Sequence, residues 1–183
     1  YTAESARVNH LLEDQPKFPD VTLQDSFGRS YSFAEFENKY VLITFFYTSC
    51  TTVCPQLEMN MADVYKAIPE QWIGKEIIFL SISFDPKNDT PAVLNKYRDY
   101  FSSDGETWRM AAIPDEEELK KVLDAFGVIV IPDGTGNFAH NSAFYLVNPE
   151  GKLIDVMDYT KTEAAAHNIT TILTNEAKAR DER

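Results

Sequence analysis

The chain has 183 residues, 44% of them apolar and 13% aromatic, which suits one domain with a full core and argues against disorder. A formal net charge of −12 argues against a nucleic-acid partner, since phosphate binding needs clustered Lys and Arg; it disfavours docking on anionic lipid and favours a basic protein partner or a cation. No apolar run reaches the roughly 18 residues of a bilayer-spanning helix.

Residues 1–16 read as a polar leader with one short helix around Glu4 to Leu12, and residues 17–179 as a single domain. The leader has neither a signal-peptide pattern nor an initiator Met, so the chain reads as a soluble fragment or mature form. Phe18 to Phe36 predicts a small β-hairpin, with Val21 and Leu23 alternating with polar neighbours and Asp25-Ser26-Phe27-Gly28 supplying the turn. Tyr40 to Tyr47 is almost wholly apolar and rich in β-formers, the pattern of a strand buried on both faces. The two cysteines follow at once.

Gln56 to Ile68 carries Leu57, Met61, Val64, Tyr65 and Ile68 at helical spacing. Glu76 to Phe84 is a second buried strand. Thr90 and Pro91 open a helix as N-cap and first residue, and it runs to about Tyr100. Trp108 to Ile113 predicts a short strand, and Pro114 to Phe126 a helix with Asp115 and Glu116 to Glu118 at its start, where the dipole favours acids. Val128 to Ile131 is short and apolar, and Pro132 to Asn137 is a Pro/Gly-rich loop. Ser142 to Val147 and Lys152 to Met157 predict an antiparallel hairpin closed by Asn148-Pro149-Glu150-Gly151. Thr162 to Lys178 is a last helix. The order implies a layered α/β fold with a mixed central sheet flanked by helices and an N-terminal β-hairpin extension.

Cys50 and Cys54 sit between a buried strand and a helix. Sites in α/β sheets form beyond the carboxyl ends of strands, and a helix N-terminus stabilises thiolates. In the CxxxC spacing, residues i and i+4 of a helical turn share a face, so both sulfurs can converge. Converging thiolates can close a disulfide or bind a soft metal. Two small core residues are the blander alternative, but Thr48, Ser49, Thr51 and Thr52 make the segment too polar for core. A stable soft-metal site needs more than two ligands. His10 lies in the leader and His167 on the last helix, and neither reads as functional. His140 ends the Gly-rich loop just before the hairpin, where it could face the cysteines. Met59 and Met61, two residues apart on a helix, face different ways and read as packing. Phe45, Phe46 and Tyr47 read as core near a site wall.

Three segments together resemble the Sco/SenC family, over about Phe18 to Leu173. Tyr47-Thr48-Ser49-Cys50-Thr51-Thr52-Val53-Cys54-Pro55 is similar to its aromatic-T-x-C-x-x-x-C-P site. Ser83-Phe84-Asp85-Pro86-Lys87-Asn88-Asp89-Thr90-Pro91 is similar to its S-x-D-P-x-x-D-T-P. His140 to Gly151 has the family's histidine five residues before Tyr145-Leu146, then an Asn148-Pro149-Glu150-Gly151 turn in which Asn148 replaces a frequent Asp. The resemblance implies a thioredoxin-like fold and a metallochaperone that assists assembly of the dinuclear copper centre of cytochrome c oxidase. It places the metal ligands on Cys50, Cys54 and His140, with Cys50 and Cys54 also redox-active and Asp85 as an outer-shell residue or an ordinary turn Asp. The implied cofactor is copper, as Cu(I) or Cu(II). The implied partners are the copper-site subunit of the oxidase and a copper donor or thiol reductant. The implied setting is extracytoplasmic, with an N-terminal membrane anchor absent from this chain.

Copper loading and thiol oxidation would then compete for the same sulfurs. The alternative function is a thiol:disulfide oxidoreductase acting on cysteines of the oxidase or another partner, which needs the dithiol but not His140. A peroxiredoxin-like peroxidase with Cys54 as nucleophile fits Thr51-Thr52-Val53-Cys54, but not the extra Cys50 or the match around His140.

Overall fold

The computed structural model describes residues 2–183. Helix α1 (Ala3–Asp14) is followed by β1 (Thr22–Asp25), β2 (Ser30–Ser32), a 3-10 turn at Phe33–Phe36, and β3 (Tyr40–Phe46). Then come α2 (Val53–Ala67), β4 (Ile77–Ser83), α3 (Pro91–Tyr100), β5 (Trp108–Ala112) and α4 (Glu116–Ala125). The chain ends with β6 (Val130–Pro132), β7 (Phe138–His140), β8 (Phe144–Val147), β9 (Leu153–Met157) and α5 (Thr162–Asp181).

Seven strands form one mixed sheet in the order β2-β1-β5-β4-β3-β8-β9. β3 and β4 are its centre and pair in parallel from Tyr40↔Ile77 to Phe46↔Ser83. Every residue of both is buried, as a strand covered on both faces requires. β5 runs parallel to β4, while β8 lies antiparallel to β3 and β9 to β8. The β8–β9 turn closes where Gly151 N donates to Asn148 O at 2.9 Å, with Gly151 at φ +83°, a conformation that costs a glycine little. The β1–β2 hairpin is an edge of this sheet, joined through Gln24↔Ala112. Helices α2 and α5 pack on each other, and α3 packs on β5.

Two features differ from the sequence reading in ways that matter for the site. First, α2 begins at Val53, three residues early, so Cys54 is inside the helix and Cys50 outside it. Second, His140 does not end a loop. It lies on β7, paired with β6 in a separate two-stranded sheet in which His140 stands opposite Val130. Three-residue strands are too short to show the alternation that reveals a strand.

The leader is docked on the domain. Thr2 Oγ1 caps α1 by accepting from Ser5 N, and Leu11 is buried. Arg7 Nη1 donates to Phe126 O at 3.2 Å and Gly127 O at 3.1 Å, tying α1 to the end of α4. His10 only approaches Asp14 on the same helix, and His167 is exposed on α5.

Candidate metal centre

The site is built at the carboxyl end of β3, where the chain leaves the sheet as Tyr47 and turns before α2. Thr52 is the N-cap of α2, but its hydroxyl lies 3.8 Å from Cys50 Sγ and makes no capping hydrogen bond to the helix. Cys50 fills that role: its Sγ accepts from Cys54 N at 3.3 Å. The sulfurs are therefore paired by a capping turn rather than by one helical face. The Asp-rich segment after β4 holds this turn in place. Asp89 accepts from Thr48 N at 3.1 Å, from the Thr48 hydroxyl, and from Ser83 Oγ at 2.5 Å.

Asp85 is nearly buried and organises its own turn. It accepts from Asn88 Nδ2 at 2.9 Å, its carbonyl accepts from Asp89 N, and its N–H donates to Ser83 Oγ. The carboxylate that reaches the cysteine segment is Asp89, four residues on. Burial pushes the Asp89 carboxyl above its ordinary range, against the hydroxyl donors of Ser83 and Thr48 that pull it down.

His140 is delivered by the β6–β7 hairpin. Its Nε2 lies 3.4 Å from Cys54 Sγ. Its Nδ1 lies 3.2 Å from Asn141 O and 3.2 Å from Ser142 Oγ. A carbonyl can only accept, so the bond to Asn141 O puts the proton on Nδ1 and turns the Nε2 lone pair toward the sulfurs. Burial also lowers the imidazole pKa, with the Asn141 carbonyl acting the other way, which favours the neutral ring that metal binding requires.

Aromatic rings fix the imidazole. Phe84 and Tyr47 meet it at 5.0 Å and 6.0 Å between centroids. The Tyr47 hydroxyl accepts from Phe138 N at 3.2 Å and donates to Phe138 O at 3.4 Å, bonding the strand before the cysteines to the strand that carries His140. Removing a group that only orients a ligand typically costs 10–100-fold in metal affinity. Tyr47→Phe is therefore expected to weaken copper binding about tenfold while leaving its stoichiometry unchanged, as read by competition with a chelator. An unchanged affinity would mean that the hairpin holds His140 without this clamp.

The two thiols are unequal. Cys54 is fully enclosed; burial, then the neighbouring Cys50 sulfur and Glu58, push its thiol far above the ordinary value. Burial also raises Cys50, but the backbone N–H groups of Cys54 and Thr52, with their side chains, more than offset it and the thiol lies below its ordinary value. An enclosed, protonated Cys54 is a poor peroxide nucleophile, which weighs against the peroxidase reading.

The ligand atoms of Cys50, Cys54 and His140 all lie within 4.8 Å of one another. At metal–sulfur and metal–nitrogen bonds of about 2.3 and 2.0 Å, ligand atoms of one ion sit within about 4 Å of each other, so closure needs a shift of under about 1 Å. Two thiolates and an imidazole suit a soft monovalent ion and tolerate Cu(II). The residues present thus fit copper.

Behind the cysteines lies a group that sequence reasoning missed. Glu58, one turn after Cys54, is fully buried among apolar residues. Its Oε1 accepts from Thr44 Oγ1 at 3.2 Å and from the Ser81 hydroxyl, which also accepts from Trp108 Nε1 at 3.0 Å. Glu58 Oε2 and the Tyr97 hydroxyl are both buried without a partner among the described residues. Burial pushes the Glu58 carboxyl up to about 7, against the two hydroxyl donors. The signal was available: Glu58 lies on the same helical face as Cys54, Leu57 and Met61.

A model of the SCO1/SenC family matches residues 11–174. The SCO1 protein homolog of Bacillus subtilis (strain 168) is 32% identical over 144 residues, which span 78% of this chain and 72% of that protein. A SCO1/SenC family lipoprotein from Bacillus anthracis str. Ames matches the fold with a TM-score of 0.76 at 24% identity, covering 86% of this chain and 95% of that one. Yeast Sco1 with copper bound matches with a TM-score of 0.73 at 21% identity, covering 92% and 95%. The structural likenesses carry the fold, a thioredoxin-like mixed sheet flanked by helices.

Proposed function

The chain belongs to the SCO1/SenC family, and from that premise we propose that it carries copper to the copper-site subunit of cytochrome c oxidase during assembly of the dinuclear centre. The observation that carries the proposal is the meeting of Cys50, Cys54 and His140 from two separate parts of the chain, with the Nε2 lone pair aimed at the sulfurs. The copper is cargo. Cys50 and Cys54 hold it through two thiolates, and His140 completes a set that survives a change of valence. Tyr47, Phe84 and Asn141 keep the imidazole aimed, and Asp89 keeps the cysteine turn closed.

The unequal thiols favour a second role on the same residues. The Cys50 thiolate can attack a partner disulfide, forming a mixed disulfide and releasing one partner thiolate. Cys54 then attacks Cys50, closes the Cys50–Cys54 disulfide and releases the second thiol; two electrons and two protons pass to the partner. A thiol reductant would be needed to reset the pair. We place the domain outside the cytoplasm, held to the membrane by an N-terminal anchor; no helix among the described residues is long and apolar enough to cross a membrane.

Carrier and reductase separate in one experiment. The Cu(I)-loaded, reduced protein is mixed with the soluble copper-site domain of an oxidase subunit, once with that domain's cysteines reduced and once oxidised. The carrier reading expects about one copper per chain to move to the reduced domain. Retention of all copper, with electrons passing only to the oxidised domain, would leave the reductase alone.

A further inference from the structure

Both cysteines are buried, but unequally. Cys54 is fully enclosed, whereas Cys50, 6% exposed, lines the floor of a shallow groove of about 570 Å³ between α2 and α3, whose other apolar walls are Pro55, Val93, Tyr97, Tyr100 and Phe101. Tyr100 is 78% exposed and Val93 is 37% exposed. Beyond Tyr100 the surface passes the half-exposed Met59 and turns polar at Gln56, Asn60, Asp63 and Lys66, which bounds the apolar patch. Contiguous exposed apolar groups of this kind mark interaction sites.

The charge of the groove is opposite to that of the molecule. On a chain of net charge −12, the only Lys, Arg, Asp or Glu lining it is Lys96. Lys96 forms no ion pair among the described residues. An apolar cleft with one unpaired cation beside the Cys50 sulfur complements a segment of the inverse kind.

We propose that this groove docks an extended segment of the partner polypeptide, apolar, bearing a carboxylate for Lys96, and presenting a cysteine sulfur to Cys50. The inference rests on the carrier and dithiol readings of the same site and adds the surface through which a partner reaches it. Any ligand or sulfur exchange at Cys54 must follow exchange at Cys50, because Cys50 alone opens on the groove. The overall negative surface attracts a basic partner at long range, while the groove selects an acidic, apolar segment at contact. At 0.15 M salt the Debye length of about 8 Å screens the distant charges and leaves Lys96 in play.

Two synthetic peptides test this, Glu-Leu-Phe-Cys-Gly and Lys-Leu-Phe-Cys-Gly, each blocked at both ends and carrying its cysteine as a 2-thiopyridyl disulfide. Attack by the Cys50 thiolate on the peptide sulfur forms a mixed disulfide and releases 2-thiopyridone, which is followed by absorbance. At 0.15 M salt the reduced protein is expected to react faster with the acidic peptide, and Lys96→Glu to shift the acidic-to-basic rate ratio at least about tenfold toward the basic one. Tyr100→Ser is expected to slow both peptides about fivefold and leave the rate with 2,2′-dithiodipyridine, too small to fill the groove, unchanged. A rate ratio that Lys96→Glu does not move, or peptide rates indifferent to Tyr100→Ser, would overturn the groove. Copper stoichiometry is measured on separate aliquots of the same reduced preparations, before any disulfide is added. Its loss in the unsubstituted protein would defeat the carrier reading instead, whatever the peptides do.

Discussion

Replacing His140 by alanine is expected to weaken Cu(I) binding at least about 100-fold, or about 2.8 kcal/mol at 1.4 kcal/mol per tenfold. Losing a residue that only orients a ligand already costs 10–100-fold, and on the proposed function His140 is the ligand being oriented. Its Nε2 stands 3.4 Å from Cys54 Sγ, and Asn141 O fixes the tautomer that points a lone pair there. The substitution removes a half-buried ring from a small hairpin, outside the seven-stranded sheet, so the fold should persist. Chelator competition measures the affinity, and the far-ultraviolet circular dichroism reports the fold. A folded variant with wild-type affinity would show that two sulfurs suffice and that His140 is not a ligand.

The second large effect concerns Glu58 and stability. Its carboxyl has a pKa of about 7 in the folded chain against 4.5 in an unstructured one, because burial disfavours the charged form. Between those values the folded state keeps a proton that the unfolded state releases. The associated stability is fully present below pH 4.5 and is lost as the pH rises through 7. Each pH unit across which only the folded state holds that proton is worth about 1.4 kcal/mol, so the unfolding free energy of the wild type should fall by about 2–3 kcal/mol from pH 5 to pH 8 through this group alone. Glu58→Gln removes the titration, so the difference between variant and wild type isolates it from every other carboxyl. In urea unfolding at the two pH values, that difference should move in favour of the variant as the pH rises. Parallel pH profiles for the two proteins would mean that Glu58 is not buried as an acid.

Much of this architecture is legible in the residues alone. β3 and β4 announce themselves as unbroken apolar runs because both faces are covered, and α3 announces its start through Thr90 and Pro91. The cysteine pair and the candidate third ligand are legible through their neighbouring motifs. What escapes are interactions between distant segments. Nothing in Phe138-Ala139-His140 announces a strand, because its partner, Val130–Pro132, is equally short. Tyr47 reads as core wall, and its bonds to Phe138 become visible only once the β6–β7 hairpin is folded over the end of β3. Asp85 and Asp89 stand in the same Asp-rich segment. Only the path of the chain after β4 shows that Asp89 reaches Thr48 while Asp85 closes its own turn. The leader composition is polar, yet a few residues of it, Leu11 and Arg7 among them, dock α1 on the domain.

X-ray absorption at the copper edge tests the central arrangement most directly. The reduced protein, loaded anaerobically with one equivalent of Cu(I), should show two sulfur scatterers and one imidazole nitrogen, and His140→Ala should lose the nitrogen and keep both sulfurs. A spectrum with sulfur alone in the unsubstituted protein, unaltered by His140→Ala, would contradict the three-ligand site.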